Sequence, residues 1–255
     1  MLETKDLTIR FGGHVAVNAV SCAFAPGTLT AIVGPNGAGK TTYFNLISGQ
    51  LKASAGTVSL DGQLLSGLPA SARTRAGLGR AFQLTNLFPN LSVLENVRLA
   101  VQAPREGAHR RGLNLWSIWS DHRALTERAD QILADVALKS KEHATVASLP
   151  HGDQRKLEVA LLMALEPKVF MFDEPTAGMH AAEAPVILDL IRKLKQDKTK
   201  TILLVEHKMD VVRELADRII VLHNGQLVAD GEPAEVIASP IVQEAYLGVA
   251  KEAAA

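Results

Sequence analysis

The sequence predicts an α/β fold: a mostly parallel sheet, an N-terminal antiparallel β subdomain and an inserted α-helical subdomain. Three observations carry this. From Asp153 onward, short apolar runs alternate with helical segments, the order of a parallel sheet covered by helices on both faces. At the N-terminus, Leu2–Phe11 and Val15–Phe24 alternate apolar and polar residues as strands with one buried face do. Between about Leu84 and Leu149 the strand signals disappear. Residues 1–84 and 150–255 are therefore expected to form the core with its β subdomain, and residues 85–149 the helical insertion, all within a single domain spanning residues 1–255.

Taken in order, Leu29–Val33 is a short apolar run and reads as a buried strand. Thr41–Gln50 reads as a helix, because Tyr43, Phe44, Leu46 and Ile47 form one apolar stripe, and Ser48-Gly49 ends it. Gly56–Gly62 reads as a strand closed by a turn. Within the insertion, Ala124–Leu138 places Leu125, Ala129, Ile132, Leu133 and Val136 on one helical face. Helix is then expected over Asp153–Leu165, strand over Val169–Phe172, helix over Val186–Leu194, strand over Thr201–Val205, helix over Met209–Ala216 and strand over Arg218–Leu222. No internal repeat is visible, and the Ala-rich tail is the one low-complexity tract.

Composition narrows the function classes. The chain has 255 residues, 47% of them apolar, enough for a full core. Lys plus Arg and Asp plus Glu are 27 each, so no overall basic field draws it to nucleic acid. The single cysteine, Cys22, excludes an internal disulfide and reads as a small buried apolar residue. The N-terminus lacks the basic start and apolar stretch of a signal peptide. Apolar runs such as Val159–Leu165 fall short of the roughly 20 residues that cross a bilayer. A soluble cytoplasmic chain is expected, with any membrane role coming through a partner.

The strongest motif follows the Leu29–Val33 run. Gly34, Asn36, Gly37, Ala38, Gly39, Lys40, Thr41 and Thr42 belong to a segment that matches G-x-x-x-x-G-K-[ST] in a strand–loop–helix context. Glycines let the backbone aim several N–H groups at one anion, and the helix N-terminus adds partial positive charge. Lys40 is placed to reach β- and γ-phosphates, and the Thr41 hydroxyl to ligate Mg²⁺. The reading is a nucleoside-triphosphate site.

Further residues bear on what happens to the γ-phosphate. The apolar strand Val169–Phe172 ends in Asp173 and Glu174, at the sheet edge from which the phosphate loop also emerges. Asp173 would hold Mg²⁺ and Glu174 would polarise a water as general base; alone, the pair could equally be a helix N-cap. His207, beyond Thr201–Val205, lands on the same edge and could donate a hydrogen bond to the γ-phosphate. Gln83 opens the helical insertion, where it could touch Mg²⁺ or the water and sense movement of the insertion.

In order and spacing these residues resemble the ATP-binding subunit of ABC transporters, over nearly the whole chain; the fold implied is that of a P-loop NTPase (RecA-like). Leu149-Pro150-His151-Gly152-Asp153 stands where the family has its signature loop, which meets ATP held by an opposing subunit. Residues 173–180 resemble the Walker B and D-loop run, and Glu206-His207 the switch-histidine loop. Phe11 falls where the family stacks an aromatic ring on adenine, worth roughly 1–3 kcal/mol; a plain core aromatic is the competing reading. Local strings at residues 11–20, 205–210 and 246–248 resemble the branched-chain amino-acid importers. The resemblance implies ATP and Mg²⁺ as cofactors and a head-to-tail dimer with a second ATPase or a second copy. It implies membrane permease subunits, a periplasmic binding protein acting indirectly, and residence at the cytoplasmic face of the inner membrane. Residues 84–103 are the implied docking region, and Arg110, Arg111, Trp116 and Trp119 mark either a membrane-side contact or a small core.

Two departures stand out. The family usually has Ser where this chain has Pro150, and Gln where it has Asp153. Proline has no hydroxyl to donate to a γ-phosphate. A hydrogen bond to a charged group contributes about 1.5–3 kcal/mol, so its loss is expected to weaken that composite site roughly ten- to a hundredfold. His180 also replaces the usual acid or amide. With a different ATPase as partner, the site using this chain's phosphate loop should be the more active. Two other function classes were weighed. A soluble ABC ATPase acting on nucleic acid or ribosomes fits poorly with a neutral single cassette, and a small-molecule kinase fits poorly with the complete motif set.

Overall fold

The computed structural model describes residues 1–81, 87–106, 123–240 and 242, with side chains 104–106 left aside. The elements run β1 (Leu2–Phe11), β2 (His14–Phe24), β3 (Leu29–Val33), α1 (Lys40–Ser48), β4 (Ala55–Leu60), β5 (Gln63–Leu64), α2 (Ala70–Arg75), β6 (Leu78–Ala81), α3 (Val93–Glu106) and α4 (Arg123–Asp135). They continue α5 (His151–Ala164), β7 (Val169–Asp173), α6 (Ala184–Gln196), β8 (Thr201–Val205), α7 (Met209–Leu215), β9 (Arg218–His223), β10 (Gln226–Gly231) and α8 (Pro233–Ala238). Two units form: one from Met1–Leu78, Lys168–Glu174 and the chain from Lys195, the other from Gly79–Pro167 and Pro175–Leu194.

The first unit holds two sheets. One is antiparallel, in the order β2-β1-β4-β5. In the other, β9, β3, β8 and β7 lie side by side and parallel, and β10 pairs antiparallel on β9. Every residue of β3, β7 and β8 is buried, which is why these strands read as unbroken apolar runs. Register decides function here. Asp173 lies opposite Val205, and Val205 opposite Ile32, so β7, β8 and β3 finish level. The segments after them leave from one edge.

Helix α1 is packed between the sheets. Its Tyr43, Phe44, Leu46 and Ile47 join Leu2, Leu7 and Phe24 of the antiparallel sheet and Met171, Leu203 and Ile220 of the parallel one. Fully burying such side chains contributes about 1.5–3 kcal/mol each. The opposite face of the parallel sheet packs Ala31, Val33, Ile219 and Val221 against Val212 of α7 and Val236 of α8.

The second unit is built around α3, α4 and α5, which pack on one another. The face of α4 with Leu125, Ala129, Ile132 and Leu133 is buried, as its spacing predicts. Ser92 caps α3: its hydroxyl accepts the Glu95 N–H, while the Glu95 carboxylate accepts the Ser92 N–H at 2.7 Å. The two units divide at 78/79, 167/168, 174/175 and 194/195. Helix α5 packs on α3 and α4. Residues 174–183 also separate β7 from α6, so the acid pair at 173–174 is not a helix N-cap. Among the described residues, no helix is long and apolar enough to cross a membrane.

Candidate functional site

The loop after β3 is forced into its shape. Gly34 has φ 151°, and a Cβ there would lie 2.1 Å from the Leu222 carbonyl oxygen. Gly39, at φ 96° just before α1, would meet the Ala16 carbonyl oxygen at 2.5 Å. Only glycine allows both the left-handed backbone and that closeness. The Gly225 N–H donates to the Ala38 carbonyl at 3.1 Å, and the Asn18 N–H to the Gly225 carbonyl at 2.8 Å. The loop is thus held by β2 and by the β9–β10 turn as well as by its own strand.

Asn36, Gly37, Ala38, Gly39, Lys40, Thr41 and Thr42 line an open cleft of about 280 Å³ together with His14, Ala16, Glu174 and His207. Lys40 is buried, and its ammonium donates to the carbonyl oxygens of Gly34 (2.6 Å) and Pro35 (2.9 Å). Two of its three N–H groups are thereby fixed. Burial lowers the Lys40 pKa, and the Glu174 and Asp173 carboxylates oppose that shift. The amine thus stands in the field of both acids.

Glu174 sits in the left-handed region, φ 49°, at a cost of order 1–2 kcal/mol for a residue with a Cβ. Its N–H donates to the Val205 carbonyl at 3.0 Å, which ties the end of β7 to the end of β8. Its Oε1 lies 2.5 Å from His207 Nε2. An ionised carboxylate has no proton to give, so the imidazole N–H is the donor. Asp173, the last residue of β7, is buried beside it.

Gly37, Gly39, Lys40, Thr41, Thr42, Glu174 and His207 therefore line one cleft, while Gly34 and Asp173 belong to the same sheet edge without lining it. Phe11 ends β1, pairs in register with His14 and is 50% exposed, which removes the core-aromatic reading. It is not among the residues lining the cleft. Gln83, Arg110, Arg111, Trp116, Trp119 and residues 246–248 lie outside the described residues. In the second unit, Pro150 is the N-cap of α5; Pro150 and His151 are exposed, whereas Gly152 and Asp153 are buried. Asp153 is bonded to Lys141 and to Lys156, the latter at 2.9 Å. Burial alone would raise its pKa, and the two lysines outweigh burial and lower it. This carboxylate is committed to two lysines within its own unit. Sequence reasoning gave no role to His14, which the β1–β2 hairpin brings to the cleft, and named Glu206 only as part of the Glu206-His207 run.

The model for the ABC transporter family matches residues 17–177, and that for the branched-chain amino acid ATP-binding cassette transporter matches residues 226–252. The chain is 38% identical over 251 residues to the high-affinity branched-chain amino acid transport ATP-binding protein LivG of Escherichia coli, covering 98% of each chain. It is 36% identical to BraF of Pseudomonas aeruginosa over the same span, again covering 98% of each. Among solved structures it is similar to an ABC-transporter ATP-binding cassette in its ADP conformation, at 29% identity and TM-score 0.79, covering 97% of this chain and 98% of that one. It is also similar to a dimeric ATP-binding cassette in a post-hydrolysis state with ADP and phosphate, at 26% identity and TM-score 0.77, covering 91% and 99%. Fold, loop geometry and relatives agree: the chain belongs to the ABC transporter family, as one of its ATP-binding, ATP-hydrolysing cassettes.

Proposed function

We propose that this cassette hydrolyses ATP to energise a membrane importer for branched-chain amino acids, with Glu174 as the general base. The observation that carries the catalytic reading is the 2.5 Å contact between His207 Nε2 and Glu174 Oε1 on the wall of the cleft lined by the phosphate loop. The backbone N–H groups of residues 36–42 and the Lys40 ammonium bind and neutralise the phosphates. His207 holds one oxygen of Glu174, which leaves the other to accept a proton from the attacking water; the imidazole, lining the same cleft as the phosphate loop, would report on the γ-phosphate. The Thr41 hydroxyl and the Asp173 carboxylate are hard oxygen donors on the same edge, a set that fits Mg²⁺. Bound there, the ion would offset charge building on the phosphate oxygens. Phe11, exposed at the hairpin end, is available to stack on adenine, and Gln83 is assigned to the water and Mg²⁺.

Relatives named as transport ATP-binding proteins and a dimeric neighbour support permease subunits and a second cassette, or a second copy, as partners. A periplasmic binding protein would supply the amino acid from the far side, and the cassette would sit peripherally at the cytoplasmic face. The chemistry is tested with Lys40→Ala and Asp173→Asn in ATP-binding titrations with and without Mg²⁺. Lys40→Ala should weaken binding in both conditions, and Asp173→Asn should remove most of the gain due to Mg²⁺. Unchanged binding in both variants would refute the assignment. The importer reading is tested by leucine uptake into cells deleted for this chain, which should fall and return on complementation.

A further inference from the structure

We propose that Glu206 is the positioning residue of the His207 imidazole: its buried carboxylate fixes the backbone after β8 so that the ring meets Glu174. The proposal rests on the reading of His207 given above. Glu206 follows Val205, the last residue of β8, and is 97% buried, its relative exposure being 3%. One oxygen, Oε1, accepts both the His207 N–H at 2.9 Å and the Lys208 N–H at 3.1 Å. A side chain that accepts from the two following amides closes a small turn and sets the direction in which the chain leaves the sheet. The preceding residue is pinned as well, since the Val205 carbonyl accepts the Glu174 N–H. His207 is therefore gripped through its own backbone on one side and through its ring on the other.

Stability alone does not account for this group. The other oxygen, Oε2, is buried and has no hydrogen-bond partner among the described residues. Burying a carboxylate oxygen without a donor is unfavourable, and a smaller apolar residue would fill the end of β8 without that penalty. What the side chain supplies is one oxygen that accepts from two amides at once. The imidazole sits 2.5 Å from its acceptor, a separation that small backbone shifts would open. Glu206 is not among the residues lining the cleft and acts through His207, which makes it a positioning residue and not a catalytic one.

The test uses the full-length chain and its steady-state ATPase, with nucleotide affinity measured separately by titration of a fluorescent ATP analogue. Glu206→Ala should lower kcat about ten- to a hundredfold, the scale of losing alignment at a reacting group, and leave KM and nucleotide affinity nearly unchanged. Glu206→Gln keeps an acceptor oxygen and should retain most of the turnover. Added to His207→Ala, the Glu206→Ala change should cost little more, because both act through one ring. Full turnover in Glu206→Ala, or losses that simply multiply in the double variant, would overturn the proposal. Should Glu206→Ala not fold, Glu206→Met serves: it keeps the length and burial of the side chain but offers the two amides no oxygen acceptor, so turnover must drop, and parental turnover refutes the idea. Full turnover in His207→Ala instead overturns the assignment of His207, and the two failures are told apart by that single variant.

Discussion

At the residue scale, Asp153 shows how a single substitution changes what a loop offers. The carboxylate sits buried between Lys141 and Lys156, and Lys156 has only 10% of its side chain exposed. Replacing Asp153 with Ala would leave the Lys156 ammonium buried without its nearest counter-ion, 0.8 Å closer than Glu183 Oε1 at 3.7 Å against 2.9 Å. Breaking such a pair costs about 3–5 kcal/mol, measured as a lower denaturant midpoint. The Asp153 pKa is lowered, so its contribution is present above the unfolded value near 3.8 and is lost as pH falls below it. None of this was legible in the sequence. Lys141 lies 12 residues away beyond a 3-10 turn, and position 153 was read by its place in a motif. The phosphate loop is the opposite case: Gly39 and Lys40 line the cleft, and Gly34 bends the chain toward it, because a strand, a glycine turn and a helix start follow directly from local spacing.

At the element scale, α1 carries the phosphate loop and is closed at its far end by an arginine. Arg73 of α2 is buried and donates from Nη1 to the carbonyls of Leu46 and Ile47, both at 2.7 Å, and from Nε to the Leu68 carbonyl at 3.1 Å. Burial lowers its pKa. The last carbonyls of a helix have no partners within it and carry partial negative charge, so a cation there is doubly suited. Arg73→Ala should destabilise the protein by about 2–3 kcal/mol. For a chain of this size that lowers Tm by roughly 5 °C or more, and Arg73→Lys should recover only part, since an ammonium cannot fork to three carbonyls. The sequence showed α1 through its apolar stripe but did not show α2, β5, β6, β10 or α8. Each of these has six residues or fewer, and β10 is a partly exposed edge strand without clean alternation. Long, one-faced elements announce themselves; short ones depend on neighbours that only the fold supplies.

At the scale of the whole molecule, the N-terminus, the β4–β5 turn and the start of β7 meet at Asp61. One oxygen lies 2.5 Å from the Met1 ammonium and the other 2.6 Å from Lys168 Nζ. The Lys168 hydrogen bond first, and that of the N-terminus second, hold the Asp61 carboxyl at about 2. An acid with a depressed pKa stabilises above its unfolded value, so this contribution is lost as pH falls from about 4 toward 2. The pair is solvent-screened, so Asp61→Asn should cost no more than ~1 kcal/mol at neutral pH, with the difference vanishing in acid unfolding curves. What made the molecule legible as a whole was the level finish of β3, β7 and β8, which follows from three buried apolar strands of five residues each. The partners of α5, by contrast, are chosen by packing rather than by motif, so its contacts with α3 and α4 could not be read from the signature-loop residues that open it.

The central claim is that the phosphate loop, the acid pair after β7 and the imidazole after β8 act on one triphosphate. The most direct measurement is phosphate release by purified Glu174→Gln at saturating ATP and Mg²⁺, with nucleotide binding titrated on the same sample. Nucleotide binding should persist while turnover falls at least about a hundredfold, the scale of losing a general base. Turnover at the parental rate with binding intact would contradict the account.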